Sequence, residues 1–231
     1  MAFLTKNKSN EAEKIIFAWS GGKDSSMALY EISRQSDVRV VALLTTVTRD
    51  YKRISMHGVR ETLLERQAQS IGIPLEKVFI SKNSSNEEYE AEMRSLLLKY
   101  KASGVNAVAF GDIFLEDLKK YREDNLAKIA MNGIFPIWKR DSKELAKGFI
   151  KSGFKAIITC VDTDKLDARF AGRIFDEGFL SELPPAIDPC GENGEFHSFA
   201  FDGPIFKTPV EFKIGETVLR DSRFNYCDLL D

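Results

Sequence analysis

Short apolar runs alternate with helix-like segments through the first half of the chain, and this alternation constrains the fold most. The apolar runs are rich in β-branched and aromatic residues, as buried strands are, and lie at 14–19, 38–47, 75–81 and 105–112. The helix-like segments lie at 24–35, 58–72, 85–104 and 115–133. Strand–helix repeats at this spacing predict right-handed crossovers, and therefore an α/β fold with a mainly parallel sheet and helices on both faces.

The composition and the pattern of predicted elements change after Trp138. One further helix and one further strand are predicted, and then the stretch 182–206 is dense in proline, glycine and aromatic residues. The tail has room for one or two closing strands. We therefore predict a first domain at 1–138 and a smaller α+β domain at 139–231.

Charge and cysteine content narrow the functional classes. The formal net charge is -2, so no strong basic field favours nucleic-acid binding. Cys160, Cys190 and Cys227 are far apart and odd in number, which favours reduced thiols over a disulfide framework or a zinc site. The sequence shows no secretory leader pattern and no long apolar run, so we expect a cytoplasmic protein without a membrane span.

The stretch SGGKDS, which we call the glycine loop (residues 20–25), lies between the first predicted strand and the first predicted helix. Backbone N–H groups at a helix start bind anions, and Gly21 and Gly22 permit a close approach. Ser20 and Ser25 add hydroxyl donors. The spacing matches neither the Walker A loop nor the dinucleotide fingerprint. The functional interpretation of the loop is a phosphate-binding site. The structural alternative is a tight turn that only begins a helix.

Polar residues also follow the other strands, at the edge where parallel sheets bind ligands. Gly111 and Asp112 follow the fourth strand, although Asp112 could equally be a helix N-cap. His57 and Arg60 follow the second strand, and a cation in a first helical turn is unusual unless an anion is near. For Arg122, on the fourth helix, a solvated face is the simpler interpretation.

The stretch DPCGENGEFHSFAFDGP, which begins at Asp188, is the densest polar cluster. If residues 195–201 form a strand, Glu195 and His197 share one face, and Asp188 and Glu192 crowd the same small volume. Carboxylates beside aromatic rings suit a cationic group. A metal is an alternative, although Mg²⁺ usually takes one or two carboxylates plus phosphate oxygens. A polar loop with capping side chains is the plain interpretation.

Six motifs occur in the order SGGKDS, HGVR, GDI, YRE, PIW and DPCGENGEFHSF. The first resembles the pyrophosphate-binding loop of the N-type ATP pyrophosphatases, or PP-loop proteins. The full set resembles the diphthine–ammonia ligase (diphthamide synthetase) family in its bacterial-type version. The resemblance runs from Lys14 to about Pro209, and the last motif is its most specific part. Ser198 and Ile137 stand where we expect threonine and leucine.

The resemblance implies an adenine nucleotide α-hydrolase-like (HUP, Rossmann-like) domain followed by a smaller substrate domain. It implies an ATP-binding ligase that adenylates a carboxylate and amidates it with ammonia, giving AMP and pyrophosphate, with Mg²⁺ as the metal. In this family the carboxylate belongs to diphthine, a modified histidine on translation elongation factor 2. We expect such an acceptor as the partner, expect free ammonia as the nitrogen source, and leave a homodimer open.

The resemblance also implies roles for individual residues. Asp24 would bind or orient Mg²⁺, and Lys23 would offer long-range charge at most. The pyrophosphate would be held by Ser20, Gly21, Gly22 and Ser25. The rest of the nucleotide site would comprise His57, Arg60, Gly111 and Asp112. The acceptor and its ammonium group would be held or oriented by Glu192, Glu195 and His197.

Two other functions are compatible with these residues. A related PP-loop enzyme could act on a tRNA base or on a small-molecule carboxylate. Thiolation of tRNA would require a well-placed cysteine and a basic face for the nucleic acid. A nucleotide-binding sensor without ligase turnover would have no need of the second polar cluster.

Overall fold

The computed structural model describes residues 12–50, 53–54, 58–82 and 84–231, so the predicted site residue His57 lies outside the described residues. The strands are β1 (Glu13–Ala18), β2 (Val38–Thr48), β3 (Arg53–Ile54), β4 (Leu75–Ile80), β5 (Ala107–Ala109), β6 (Asn132–Ile134), β7 (Lys155–Asp162), β8 (Phe196–Asp202), β9 (Lys213–Arg220) and β10 (Phe224–Leu230). The helices are α1 (Lys23–Ser33), α2 (Glu61–Ile71), α3 (Asn86–Ala102), α4 (Glu116–Ala127), α5 (Ser142–Lys151) and α6 (Glu177–Glu182), with a 3₁₀ turn at Ala168–Phe170.

The first sheet is the predicted parallel sheet. Its parallel strands run in the order β4-β2-β1-β5-β6, and β3 pairs antiparallel with the end of β2. Successive side chains of β1 point to opposite faces. Ile15 and Phe17 belong to an apolar cluster with residues of α1, α2 and α5, whereas Ile16 clusters with Leu97 of α3 and Leu126 of α4. The prediction of helices on both faces of a parallel sheet is therefore confirmed.

The second sheet is antiparallel, in the order β8-β7-β10-β9, and contains two strands from the tail, where one or two were expected. Its core is aromatic, and the rings of Phe179 and Phe196 meet edge-on with centroids 5.3 Å apart. Phe17 of β1 and Phe199 of β8 belong to one continuous apolar cluster. No break in the core marks residue 138, and the domain division stays a prediction.

Local signals set some element ends correctly and one wrongly. Gly72 ends α2 in the left-handed region, and Ser85 forms a capping box with Glu88 at the predicted start of α3. The helix predicted at 115–133 was wrong in its last part, because it ends at Ala127 and β6 begins five residues later. The buried apolar residues of this segment continue a helical spacing, but Ala130 takes a φ of 50° and the chain then pairs with β5. No helix among the residues described above is long and apolar enough to cross a membrane.

Candidate functional site

The glycine loop connects the carboxyl end of β1 to the start of α1. Gly22 is the N-cap in extended conformation, and it has no side chain with which to cap the helix. The hydroxyls of Ser25 and Ser26 donate back to its carbonyl, each at 2.9 Å, which holds the first turn. The next backbone N–H, that of Lys23, donates to Ser198 Oγ of β8 at 3.2 Å. The predicted helix start is therefore supported from within by its serines and from outside by the second sheet.

Gly21 holds the loop in a conformation that a side chain would disturb. Its φ is 76°, and a Cβ placed on it would lie 2.7 Å from Gln67 Oε1. Gln67 of α2 is fully buried, accepts from Trp19 Nε1 at 3.0 Å and donates to the carbonyl of Gly21 at 2.9 Å. The N–H of Ala200 donates to the same carbonyl at 2.8 Å. The role of Gln67 escaped sequence reasoning, because one glutamine in an amphipathic helix carries no local signal.

A cavity of about 1080 Å³ opens beside this loop at the carboxyl ends of β1, β2 and β5. Nine of the predicted site residues border it: Ser20, Gly22, Lys23, Asp24, Ser25, Gly111, Asp112, Glu192 and His197. Gly21, Arg60 and Glu195 do not border it. The volume lies at the upper end of the range for single small-ligand sites, which leaves room for two substrates.

One wall of the cavity is apolar. It is formed at the strand ends by Leu44 and Phe110, and from α3 by Met93 and Leu97. Phe110 stacks on Phe135 with centroids 5.4 Å apart, which fixes its ring. An apolar wall with a fixed aromatic ring, in the same cavity as the glycine loop, suits a planar base.

Asp112 forms a charged pair rather than a helix cap. Its Oδ2 lies 2.7 Å from Arg122 Nε, and its Oδ1 accepts from Arg122 Nη2 at 3.1 Å. The N-cap of α4 is Leu115, so the N-cap alternative for Asp112 was wrong. The solvated-face interpretation of Arg122 was also wrong, because its guanidinium packs 4.4 Å from the Phe110 ring centroid and the residue borders the cavity.

Glu192 extends from the loop at residues 188–195, which we call the acidic loop, to the end of β5. Its Oε1 accepts from the N–H of Ile113 at 2.7 Å and of Phe114 at 3.4 Å. Burial raises the pKa of Glu192 to about 7, and the negative charge of Asp24 adds to this, while the two N–H groups oppose it. The cavity therefore contains a carboxyl group that titrates near neutrality.

Glu195 and Asp188 shape the acidic loop from inside. Glu195 is 3% exposed, and its Oε1 accepts from the N–H of Asp188 at 3.2 Å and from Asn193 Nδ2 at 3.1 Å. Asp188 Oδ2 accepts in turn from the N–H of Glu192 at 2.9 Å. The predicted crowding of Asp188, Glu192 and Glu195 thus takes the form of hydrogen bonds that fold the loop. His197 borders the cavity beside them.

Lys23 and Asp24 form an ion pair at the helix start. Lys23 Nζ lies 2.8 Å from Asp24 Oδ2, with the lysine side chain 4% and the aspartate side chain 30% exposed. Burial raises the pKa of Asp24, although Lys23 opposes the shift. Burial also disfavours charged Lys23, but the attraction of Asp24 and other nearby negative groups outweighs it and raises the lysine pKa. The lysine stays charged, and the aspartate is the partner that faces the cavity.

The anion beside Arg60 is a carboxylate of the second sheet. Arg60 Nη2 and Arg53 Nη1 each lie 2.7 Å from a different oxygen of Asp228 in β10. Burial disfavours ionised Asp228, but the hydrogen bonds from the two arginines lower its pKa to about 2. A cation in the first turn of α2 is thus explained by an ion pair between the sheets, and the nucleotide-binding role of Arg60 stays a prediction.

The donor set at the cavity allows a test of whether magnesium fits. Within the described ranges, no group of three or more His, Cys, Asp or Glu side chains could hold a metal ion by itself. Mg²⁺ usually takes one or two carboxylates and completes its shell with phosphate oxygens and water. Asp24, half-buried in the glycine loop, is a donor of that kind, so the residues present fit the ion.

The fold and the cavity define a nucleotide-binding α/β protein in which a phosphate-type loop and a carboxylate-bearing loop share one site. The sequence model of the diphthamide synthase N-terminal domain matches residues 13–131, and that of the C-terminal domain matches residues 141–228. The chain therefore belongs to the diphthamide synthase family.

Curated relatives agree with this assignment. The diphthine–ammonia ligase of Danio rerio is 27% identical over 227 residues, which cover 89% of each chain. That of Rattus norvegicus is 25% identical over 233 residues, which cover 88% of this chain and 84% of the relative. That of Homo sapiens is 25% identical over 188 residues, with 74% and 68% covered. The family expected from the six motifs is confirmed, and with it the enzyme class, an ATP-dependent ligase.

Proposed function

We propose that this ligase adenylates a carboxylate and then amidates it with ammonia. One observation carries the proposal: the glycine loop and the acidic loop border the same cavity, next to an apolar wall that suits a base. A nucleotide and a second substrate can therefore be held side by side. A loop of this kind without a Walker lysine pattern favours cleavage of ATP between the α and β phosphates.

A carboxylate must be activated before ammonia can attack it, because its own oxygen is a poor leaving group. An acceptor oxygen attacks the α-phosphorus of ATP, a P–O bond forms, and the bond to the β-phosphate oxygen breaks with release of pyrophosphate. Ammonia then attacks the acyl carbon through its lone pair, the C–O bond to AMP breaks, and the nitrogen loses a proton. The products are the amide, AMP and pyrophosphate, with the adenylate as the activated intermediate.

The residues of the cavity divide between these two steps. Ser20, Gly22 and Ser25, with the backbone N–H groups of the helix start, stabilise the charge on the departing pyrophosphate. Asp24 would hold Mg²⁺, which supplies further charge neutralisation at the phosphates when bound. Asp112, with its charge balanced by Arg122, lies across the nucleotide. Glu192 and His197 orient the acceptor, and Glu195 acts on it only through the shape of the acidic loop.

The relatives named diphthine–ammonia ligase support a diphthine-like acceptor for this chain. We propose a carboxylate on a modified histidine of a translation elongation factor as the acceptor and free ammonia as the nitrogen source. Cytoplasmic location and a homodimer belong to the same proposal. An assay with a small carboxylate in place of the protein acceptor separates this substrate from a broader specificity.

Cysteine-based thiolation of tRNA has less support. Cys160, Cys190 and Cys227 are all buried and unbridged. Burial raises the pKa of Cys160 to about 11 and raises that of Cys190 further. Thiols of this kind are poor nucleophiles near neutrality, since the thiolate is the reactive form. The buried thiols therefore give sulfur transfer less support than ligase chemistry.

The decisive experiment follows labelled ATP. The purified chain is incubated with ATP labelled in the α-phosphate, Mg²⁺, ammonium and candidate acceptors, and the nucleotide product is identified. The proposal expects AMP and pyrophosphate, formed in amounts equal to the amide. ADP as the product would exclude adenylation. Nucleotide binding without turnover in the presence of every acceptor would favour the sensor function instead.

A further inference from the structure

Lys23 is a buried cation of the glycine loop, although the residue borders the cavity. The residue is 3% exposed, and its ammonium lies 5.6 Å from the ring centroid of Phe175 and 5.3 Å from that of Phe196. Both rings belong to the aromatic core of the second sheet. A lysine that bound phosphate as a point charge would extend toward the cavity and its solvent.

The hydrogen-bonding capacity of this ammonium is already used. A lysine ammonium has three N–H donors and no acceptor. Nζ donates to Asp24 Oδ1 at 2.9 Å, to Asp24 Oδ2 at 2.8 Å and to the carbonyl of Cys190. A phosphate oxygen could therefore be bound by Lys23 only if one of these contacts broke.

The contact with Cys190 ties the two loops together. Cys190 lies in the acidic loop, and two residues later Glu192 accepts from the N–H of Ile113 at the edge of the cavity. The backbone N–H of Lys23 also donates to Ser198 of β8. One residue thus joins the glycine loop to the second sheet through its main chain and to the acidic loop through its side chain.

We infer that Lys23 is a positioning residue: its ammonium holds the acidic loop at a set distance from the glycine loop, so that the acceptor meets the nucleotide in line. The tie itself is a property of the fold, and its consequence for turnover rests on the proposed function. Lys23 contributes little to ATP affinity, because its three donors are already bonded to Asp24 and to the carbonyl of Cys190.

Lys23→Met tests this role, since methionine keeps an apolar stem among the phenylalanines and removes the three donors. We expect kcat at saturating ATP to fall about 100-fold, the order of loss that a displacement of about 1 Å produces. The Kd for ATP, followed by the fluorescence of Trp19 at the cavity, should change less than about 3-fold, as for a residue that does not bind the ground state. Amide hydrogen exchange in residues 188–195 should become faster.

Lys165 provides a matched control. Its Nζ donates to the carbonyl of Asn193 at 2.6 Å, so it also holds the acidic loop, but from the solvent side and without contact to the glycine loop. Lys165→Met should leave kcat near the wild-type value. A loss of turnover equal to that of Lys23→Met would mean that any anchor of the acidic loop serves, and would overturn a specific role for Lys23.

Lys23→Arg keeps the charge and donors, and serves if the methionine variant does not fold, as judged by circular dichroism. It should restore protection of residues 188–195 together with most of the turnover. A rise of about 30-fold in the Kd for ATP in Lys23→Met, with exchange unchanged, would instead identify a phosphate ligand. Exchange and turnover both unchanged would also overturn the inference. Failure of the wild-type chain to form AMP would overturn the proposed function alone, because the exchange measurement still tests the tie.

Discussion

The glycine loop and the acidic loop border one cavity but are held in different ways. The helix start in the glycine loop is held by local bonds, since Ser25 and Ser26 donate to Gly22 and the N–H of Gly22 donates to Ser20 Oγ at 3.3 Å. Contacts from outside are added by Gln67, Ser198 and Ala200. The acidic loop is folded by its own hydrogen bonds, but its position at the cavity depends on distant residues. Its carbonyl at Cys190 accepts from a lysine 167 positions away, and Glu192 reaches a backbone N–H 79 positions away.

This difference suggests that the two loops serve different parts of the reaction, the first the activation of ATP and the second the placement of the acceptor. A helix start that is held by local bonds can be recognised in a sequence, because the glycines and serines that form it are neighbours in the chain. A loop that is built by long-range contacts exists only in the folded chain. Substitutions in the first loop should therefore affect the activation of ATP directly, and those in the second should affect how the acceptor is placed.

Asp24→Asn should have the largest effect. Asparagine keeps the size of the side chain but removes the charge that would hold Mg²⁺ at the phosphates, so ATP–pyrophosphate exchange should fall about 1000-fold. Asp117→Asn is the matched control, because Asp117 is also a first-turn aspartate but is exposed on α4. Exchange that survives in Asp24→Asn would show that the metal role is wrong.

Glu192→Gln should have the next largest effect, because glutamine keeps an acceptor for the N–H of Ile113 but carries no charge. Turnover should fall about 100-fold at pH 8, as for loss of a charge that orients a substrate. The pKa of Glu192 is about 7, so the ratio of wild-type to variant turnover should rise as the pH increases through 7. Taking the ratio cancels the change in free ammonia. A ratio that is flat with pH would show that the ionised form is not needed.

The same pKa predicts that the contribution of Glu192 to stability falls as the pH rises, whereas its contribution to turnover increases. Folding raises the pKa of Glu192 above its ordinary value of 4.5, so the folded chain binds this proton more tightly than the unfolded chain does. Its contribution is fully present below about pH 4.5 and is lost as the pH rises through 7. Urea unfolding should therefore show that the wild-type chain loses stability relative to Glu192→Gln over this range.

Two glycines of the acidic loop test how closely it is packed. Gly191 and Gly194 have φ values of 68° and 79°, so alanine at either should cost about 1–2 kcal/mol from the backbone alone. A Cβ on Gly191 would also lie 2.9 Å from the carbonyl oxygen of Phe196, whereas one on Gly194 meets only Lys165 Nζ at 4.0 Å. Gly191→Ala should therefore cost about 1–3 kcal/mol more than Gly194→Ala in urea unfolding. Equal costs would mean that the loop moves to accept the methyl group.

Asp228→Asn should have the smallest effect, on the ion pair that joins the sheets. The folded-state pKa of Asp228, about 2, is below its ordinary value, so its contribution to stability is present above about pH 4 and is lost as the pH falls through 2. We expect a loss of about 1–2 kcal/mol at pH 7. Asp231→Asn is the control, since Asp231 is exposed and its carboxylate accepts from the Thr62 hydroxyl. Equal effects would show that the two arginines contribute nothing.

Several features of the site could be predicted from local patterns. The glycine loop, its place after β1 and the position of Asp112 after β5 all follow from the rule that parallel strands present ligand sites at their carboxyl ends. The capping box at Ser85 and the end of α2 at Gly72 depend on neighbouring residues only. These features are encoded within a few residues of one another, so they can be read without the fold.

The remaining features depend on partners that lie far apart in the chain. Arg122 was interpreted as a solvated residue because only the folded structure brings Asp112 and Phe110 to it. The role of Gln67 could not be predicted from its neighbours in the sequence. The residues of β6 were predicted as helix, because the pairing of β6 with β5 is a tertiary contact.

The sequence by itself determined the parallel sheet, the position of the glycine loop after β1 and the family, since hydrophobic periodicity and an ordered set of short motifs carry that information. The tertiary structure decided the direction of Lys23 and the function of each carboxylate in the acidic loop. The physical reason is that burial and hydrogen-bond partners set both the orientation and the charge of a titratable side chain, and these come into existence only when the second sheet packs against the first.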